Sequence, residues 1–102
     1  MTAHGILVNQ CLLALSEAGA MVWENRTGKA RALDNPARVI AFGLVGSADI
    51  LGVHGGKALA IEVKVGRDKL RPRQCNFRDA FTRAGGRWVE ARSVDDAMAV
   101  IQ

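Results

Sequence analysis

Apolar residues recur with helical spacing over residues 4–18, at Ile6, Leu7, Cys11, Leu13, Ala14 and Leu15, and Gly19 follows as a C-cap. Residues 20–26 switch to a period of two. Met21 and Trp23 point one way, Val22 and Glu24 the other. Thr27-Gly28-Lys29 reads as a turn, and Asp34-Asn35-Pro36 breaks the chain again. Val39 to Leu44 is a short apolar strand, with Gly43 and Gly46 marking its exit. Ala48–Val53 and Lys57–Val65 are two further strands, and His54-Gly55-Gly56 joins them as a hairpin. Gly66–Arg71 is a polar loop. Pro72 opens a helix that runs to about Ala84 and stops at Gly85-Gly86. Arg87–Arg92 is a strand, and Ser93, with Asp96 three residues on, caps a last helix through Ile101. The back half is thus strand, helix, strand, helix, which implies a parallel crossover. The expected fold is α/β, with a mixed central sheet flanked by helices.

Composition narrows the class. The chain has 102 residues, 49% of them hydrophobic and 24% charged, which suits a single domain over 1–102 with one core. These values argue against a multidomain enzyme, a membrane protein and a disulfide scaffold. There is no apolar run of about 18 residues to span a membrane. The first residues, Met1-Thr2-Ala3-His4-Gly5, lack a signal-peptide pattern, so a cytoplasmic location is expected. Cys11 and Cys75 read as reduced packing residues, and Trp23 and Trp88 as core aromatics.

Charge sharpens the expectation. The net charge is +4, yet residues 64–87 alone hold eight basic side chains against Asp68 and Asp79, a local +6. Arg26, Lys29 and Arg31 form a weaker second cluster. Charge this local reads as a footprint for a phosphate backbone. Arg67, Lys69, Arg71 and Arg73 in the basic loop, with Arg26 and Lys29, are the expected nucleic-acid contacts.

The chemistry sits on the two hairpin strands. Asp49 stands among small and apolar residues, and Glu62 and Lys64 share one face of Leu59–Val65, opposite Leu59, Ile61, Val63 and Val65. Charged groups inside a core-type strand need partners. The hairpin brings Asp49 beside Glu62, and two adjacent carboxylates repel unless a cation lies between them. Hard oxygen donors at a hydrated site suit Mg²⁺ or Mn²⁺. Metal-assisted phosphodiester hydrolysis needs such parts, with Lys64 orienting water or countering developing negative charge. A metal-free salt bridge of Lys64 with Asp49 or Glu62 is the competing reading. Gln74 then recurs with Phe77, Phe81 and Ala84 on the sheet-facing side of its helix, where its amide needs a polar partner. Asp49, Glu62 and Lys64 are the nearest group.

Gly46-Ser47-Ala48-Asp49-Ile50, Ile61-Glu62-Val63-Lys64, the basic loop and Gln74 together resemble the PD-(D/E)xK nuclease superfamily. More narrowly, they resemble its VRR-Nuc (virus-type replication-repair nuclease) group. Val22-Trp23-Glu24-Asn25-Arg26-Thr27-Gly28 resembles that group's Asn-x-x-Gly turn, and Gly85–Val89 with Ser93–Asp96 resembles its ending. The resemblance implies a restriction-endonuclease-like core with a four-stranded sheet. It implies Asp49, Glu62 and the Val63 carbonyl as metal ligands, Lys64 as catalytic and Gln74 as supporting. It also implies cleavage of branched DNA by a homodimer similar to Holliday-junction resolvases, in a bacterial or phage-infected cell. The larger eukaryotic relatives act as monomers on flaps.

Two positions depart from the pattern. Ala48 replaces the proline of the superfamily name. The group's usual Glu near the start of the first helix is missing, and His4, Asn9 and Gln10 occupy that region. His4 or Gln10 in that role, and a one-metal site with fewer ligands, both remain open. Glu17, at the other end of the helix, is expected to face solvent. The missing acid also leaves open a non-catalytic branched-DNA-binding module, beside a flap or nicking nuclease.

Overall fold

A computed structural model describes residues 1–102. The first helix, α1 (Ala3–Glu17), starts where Thr2 Oγ1 accepts a hydrogen bond from the Gly5 N–H. It ends ahead of Gly19, whose φ of +94° suits glycine. Strands β1 (Met21–Glu24), β4 (Ile50–His54), β5 (Lys57–Val63) and β6 (Arg87–Ala91) form one sheet in the order β1-β4-β5-β6. The first three run antiparallel, and β6 joins β5 in parallel after helix α2 (Pro72–Arg83). Helix α3 (Val94–Met98), capped by Ser93 Oγ on the Asp96 N–H, passes into a short 3₁₀ turn over Ala99–Ile101.

One sheet face holds the core. Val8, Cys11 and Leu15 form a stripe on α1 that packs with Ile50, Leu59, Ile61 and Val63, and Ala91, Ala97 and Val100 close the cluster. Sheet alternation puts Glu62 on the opposite face, where α2 lies. The β4–β5 hairpin turns through Gly55 and Gly56, both with positive φ, as the His54–Lys57 closing pair requires. Gly52 lets β1 approach β4, since a Cβ there would stand 2.3 Å from the Met21 carbonyl oxygen. No helix is long and apolar enough to cross a membrane.

The structure differs from expectation in three places. Thr27-Gly28-Lys29 is no turn. Gly28 opens β2 (Gly28–Arg31), which pairs antiparallel with β3 (Val39–Phe42) in a separate two-stranded sheet. The Asp34-Asn35-Pro36 break supplies their connection. The physical reason is cross-strand: the Phe42 ring lies over Gly28, 3.1 Å from where a Cβ would be, so this glycine serves pairing. Asp49 stands one residue before β4, and Lys64 one residue after β5, its N–H extending the ladder to the Ala91 carbonyl. Trp23 is half-exposed on β1, because α2 packs against β6 at the other edge of the sheet.

Candidate active site

The loop leading to Asp49 is held from both sides. The Asn25 N–H donates to the Asp49 carbonyl (2.7 Å), and Asn25 Nδ2 donates to Ser47 Oγ (2.7 Å) and the Ala48 carbonyl (2.9 Å). At Gly46 a Cβ would fall 2.5 Å from the Arg73 carbonyl oxygen, so the first turn of α2 sits directly on the loop. Asp49 then reaches across the hairpin, and its Oδ2 accepts from the Val63 N–H at 2.8 Å.

Glu62 and Lys64 are buried, with side chains 5% and 10% exposed and Lys64 Nζ 3.6 Å from Glu62 Oε1. Gln74 completes the group. Its Nε2 donates to Glu62 Oε1 at 2.8 Å, and its Oε1 accepts from the Arg71 N–H at 2.9 Å. The two partners together fix the orientation of the amide. Gln74 thereby ties the start of α2 to the carboxylate, as the half-buried face of that helix predicts.

Burial, and then the charge of Asp49, push the Glu62 carboxyl up to about 7, although Lys64 pulls it down. Burial and Asp49 together outweigh the pull of Lys64. His4 adds a further contact: its Nε2 lies 3.2 Å from Asp49 Oδ2 and 3.1 Å from the Val63 carbonyl oxygen.

Asp49, Glu62 and Gln74 line a cleft of about 580 Å³ together with Arg71 and Arg73. On the other side of Asp49, Glu24, Arg26 and Phe42 line a second groove of about 460 Å³. Of the basic residues singled out in the sequence, Arg26, Arg71 and Arg73 therefore flank the acids. Arg67 and Lys69 are exposed on the loop beyond them, and Lys29 is exposed on β2. Gln10 and Glu17 face solvent. Of the two candidates on the first helix, His4 is the one at the site. Its signal in the sequence was position: residues 4, 8, 11 and 15 make one stripe, so His4 extends the buried face of α1. Arg92 had no comparable signal. It holds the basic loop through the Gly66 carbonyl (3.0 Å) and the Asp68 carbonyl, and pairs with Glu90 (3.0 Å).

A solved structure described as a VRR_NUC domain superposes on this chain with a TM-score of 0.69, over 99% of this chain and 96% of that one, at 18% identity. The chain has the VRR_NUC fold. No protein-family model matches the sequence, and no curated protein matches it. The mixed sheet flanked by helices is the architecture expected from the motifs.

The donor set at this site fits a divalent metal. The Asp49 and Glu62 carboxylates and the Val63 carbonyl are hard oxygen donors. No three His, Cys, Asp or Glu side chains converge as a metal cage. Two carboxylates at the edge of an open cleft suit an ion that keeps part of its water.

Proposed function

We propose that this protein is a Mg²⁺- or Mn²⁺-dependent endodeoxyribonuclease that hydrolyses phosphodiester bonds in branched DNA. The observation that carries the reading is the Asp49–Glu62–Lys64–Gln74 group, with Glu62 and Lys64 buried and Asp49, Glu62 and Gln74 lining a cleft edged by Arg71 and Arg73. Asp49, Glu62 and the Val63 carbonyl would hold the ion. When bound, it supplies the charge that polarises the scissile phosphate and acidifies the attacking water.

The side chains of the protein do the rest. Asp49 is kept in place by the Val63 N–H, and Glu62 by Gln74, so neither carboxylate has to reorganise during reaction. Lys64, a cation held next to Glu62 in a dry setting, faces the negative charge that builds as water adds to phosphorus and a P–O ester bond breaks. Arg71 and Arg73, which line one cleft at Asp49, and Arg26, which lines the other, would hold flanking phosphates.

One centre nicks one strand. Resolving a four-way junction takes two symmetric nicks, which a two-fold homodimer supplies. The exposed Val39, Ile40, Leu44 and Val45 offer apolar surface for such a contact. The expected setting is the cytoplasm of a bacterial or phage-infected cell.

The test is cleavage of a labelled four-way junction with Mg²⁺ or Mn²⁺. Paired nicks are expected from the native protein and none from Lys64→Ala. Equal cleavage by Lys64→Ala would sink the mechanism. Junction binding with no cleavage under either ion would leave a non-catalytic DNA-binding module. A monomer by light scattering would redirect the substrate to flaps or nicks.

A further inference from the structure

Two grooves meet at Asp49. Thr27 and Asp49 line both, so the two are continuous past the acid. On the α2 side the path is polar and basic, with Arg71 and Arg73. On the other side it reaches Phe42, at the end of β3 in the two-stranded ribbon. Phe42 is the one aromatic residue lining either groove, and its side chain stays 45% exposed. Trp23 is exposed to the same 45% but lines neither.

The ring is tied to the acid through the backbone between them. At Gly43, which leaves β3 with a φ of +76°, a Cβ would fall 2.7 Å from the Thr27 side chain and 2.9 Å from the Arg26 carbonyl oxygen. The end of β3 therefore lies directly against residues 26–27. Asn25, just before them, bonds the Asp49 carbonyl, Ser47 and Ala48. Phe42 and Asp49 are thus both anchored to the segment 25–27. Across the ribbon, Gly28 leaves room for the ring, whose tip would stand 3.1 Å from a Cβ there. The groove measures about 460 Å³, inside the range of about 300–1,000 Å³ typical of small-ligand sites. Arg26 pairs with Glu24 at 3.5 Å beside the ring, so the groove offers both donors and acceptors to a base edge.

A ring in this place has few partners on DNA. In an intact duplex every base face is covered by its neighbours, and uncovering one costs free energy. A branch offers an unpaired base, or the open face of a terminal pair, at no such cost. Stacking on an aromatic side chain then holds any base, because each has a π-face.

We infer that Phe42 is a stacking platform for one unpaired nucleotide next to the scissile phosphate, and that the groove it shares with Glu24 and Arg26 selects branched DNA over intact duplex. This rests on the nuclease reading above and gives that reading a residue for its substrate preference.

The experiment uses the full chain and two DNAs, a four-way junction with one unpaired thymine at the branch and an unbranched duplex of equal length. Binding is followed by fluorescence anisotropy in EDTA, so that no bond is cut. Native protein should prefer the junction. Phe42→Ala should bind the junction about fivefold to roughly a hundredfold more weakly, with duplex binding unchanged. Phe42→Tyr should keep the preference, and Phe42→Leu, apolar but without a π-face, should lose it. Trp23→Ala should keep it. With 5-iodouracil in place of the unpaired thymine, irradiation and mass spectrometry should find the crosslink on Phe42. Circular dichroism checks that each variant folds. No preference in the native protein, equal losses on both DNAs, full preference in Phe42→Leu, an equal loss in Trp23→Ala or a crosslink elsewhere would each overturn the inference. So would a shift from dimer to monomer in Phe42→Ala by light scattering, which would assign the ring to a contact between copies. Junction cleavage that needs Lys64 but not Phe42, with no preference lost, would leave the nuclease reading standing alone. A Phe42-dependent preference with no cleavage under Mg²⁺ or Mn²⁺ would leave the platform standing and overturn the nuclease reading.

Discussion

The molecule contains two antiparallel hairpins of similar size with opposite surroundings. Strands β4 and β5 lie inside the main sheet, and β5 is buried from Leu59 to Val63. Strands β2 and β3 stand apart, and every one of their residues is exposed. The ladder is the same kind in both, so the difference comes from what packs on it. Burial holds the first hairpin rigidly enough to keep Asp49 and Glu62 in hydrogen-bonded positions. The second is a two-stranded ribbon, a unit that is marginal alone in water. Its register separates two faces. Lys29 and Arg31 share one with Val39 and Ala41, while Gly28 and Ala30 share the other with Ile40 and Phe42. A buried hairpin can position reacting groups, and an exposed one can present charge and apolar surface to something outside the chain.

The sharpest way to break this comparison is to remove chemistry from the buried hairpin. Asp49→Asn, Glu62→Gln or Lys64→Ala should each lower the junction-cleavage rate by on the order of a thousandfold, with circular dichroism unchanged. Losses of only a few-fold would show that the buried hairpin is structural.

The next effect is on stability. Gly52→Ala places a methyl against the Met21 carbonyl and should cost about 3 kcal/mol in denaturant unfolding. Gly28→Ala meets only the tip of the Phe42 ring and should cost about 1 kcal/mol or less. Equal losses would mean that the two ribbons are equally constrained.

Gln74→Ala lies between the two regimes. It frees Glu62 from its amide partner and should lower the cleavage rate by roughly 10- to 100-fold without weakening junction binding. On the exposed ribbon, Lys29→Ala with Arg31→Ala should leave the rate at saturating DNA nearly unchanged. The salt dependence of binding should drop by up to about two phosphate contacts. An unchanged salt slope would make that face a merely solvated one.

The smallest effect is a pH slope in metal-free protein. The Glu62 carboxyl moves from an ordinary 4.5 to about 7 on folding, through burial first and then Asp49. The folded state therefore binds the extra proton between these values. That contribution to stability is present below about 4.5 and is lost as pH rises through about 7. Urea unfolding across this window should show the decline in native protein and a flatter profile in Glu62→Gln. The paired substitution at Lys29 and Arg31 should leave the slope as it is.

Legibility followed the same division. The buried hairpin was readable because alternation along Leu59–Val65 has to separate Glu62 and Lys64 from the core residues. Gln74 was readable because its spacing with Phe77 and Phe81 put an amide on a covered face. The exposed ribbon was half legible. Val39–Phe42 read as a strand, but its partner did not, because Gly28 resembles a turn residue until Phe42 is laid over it. Trp23 read as core because a large aromatic ring is usually covered, but α2 packs against β6, at the far edge of the sheet.

By itself, the sequence determined the helices, the buried strands, the local charge and the acid–acid–lysine–amide order, since each depends on residues close together in the chain. Tertiary structure alone decided which oxygens meet. His4 lies 45 residues from Asp49 and 59 from Val63, and only the packing of α1 on the sheet brings its ring to both. The same packing selected His4 over Gln10, because α1 has one face against the core and the other toward water.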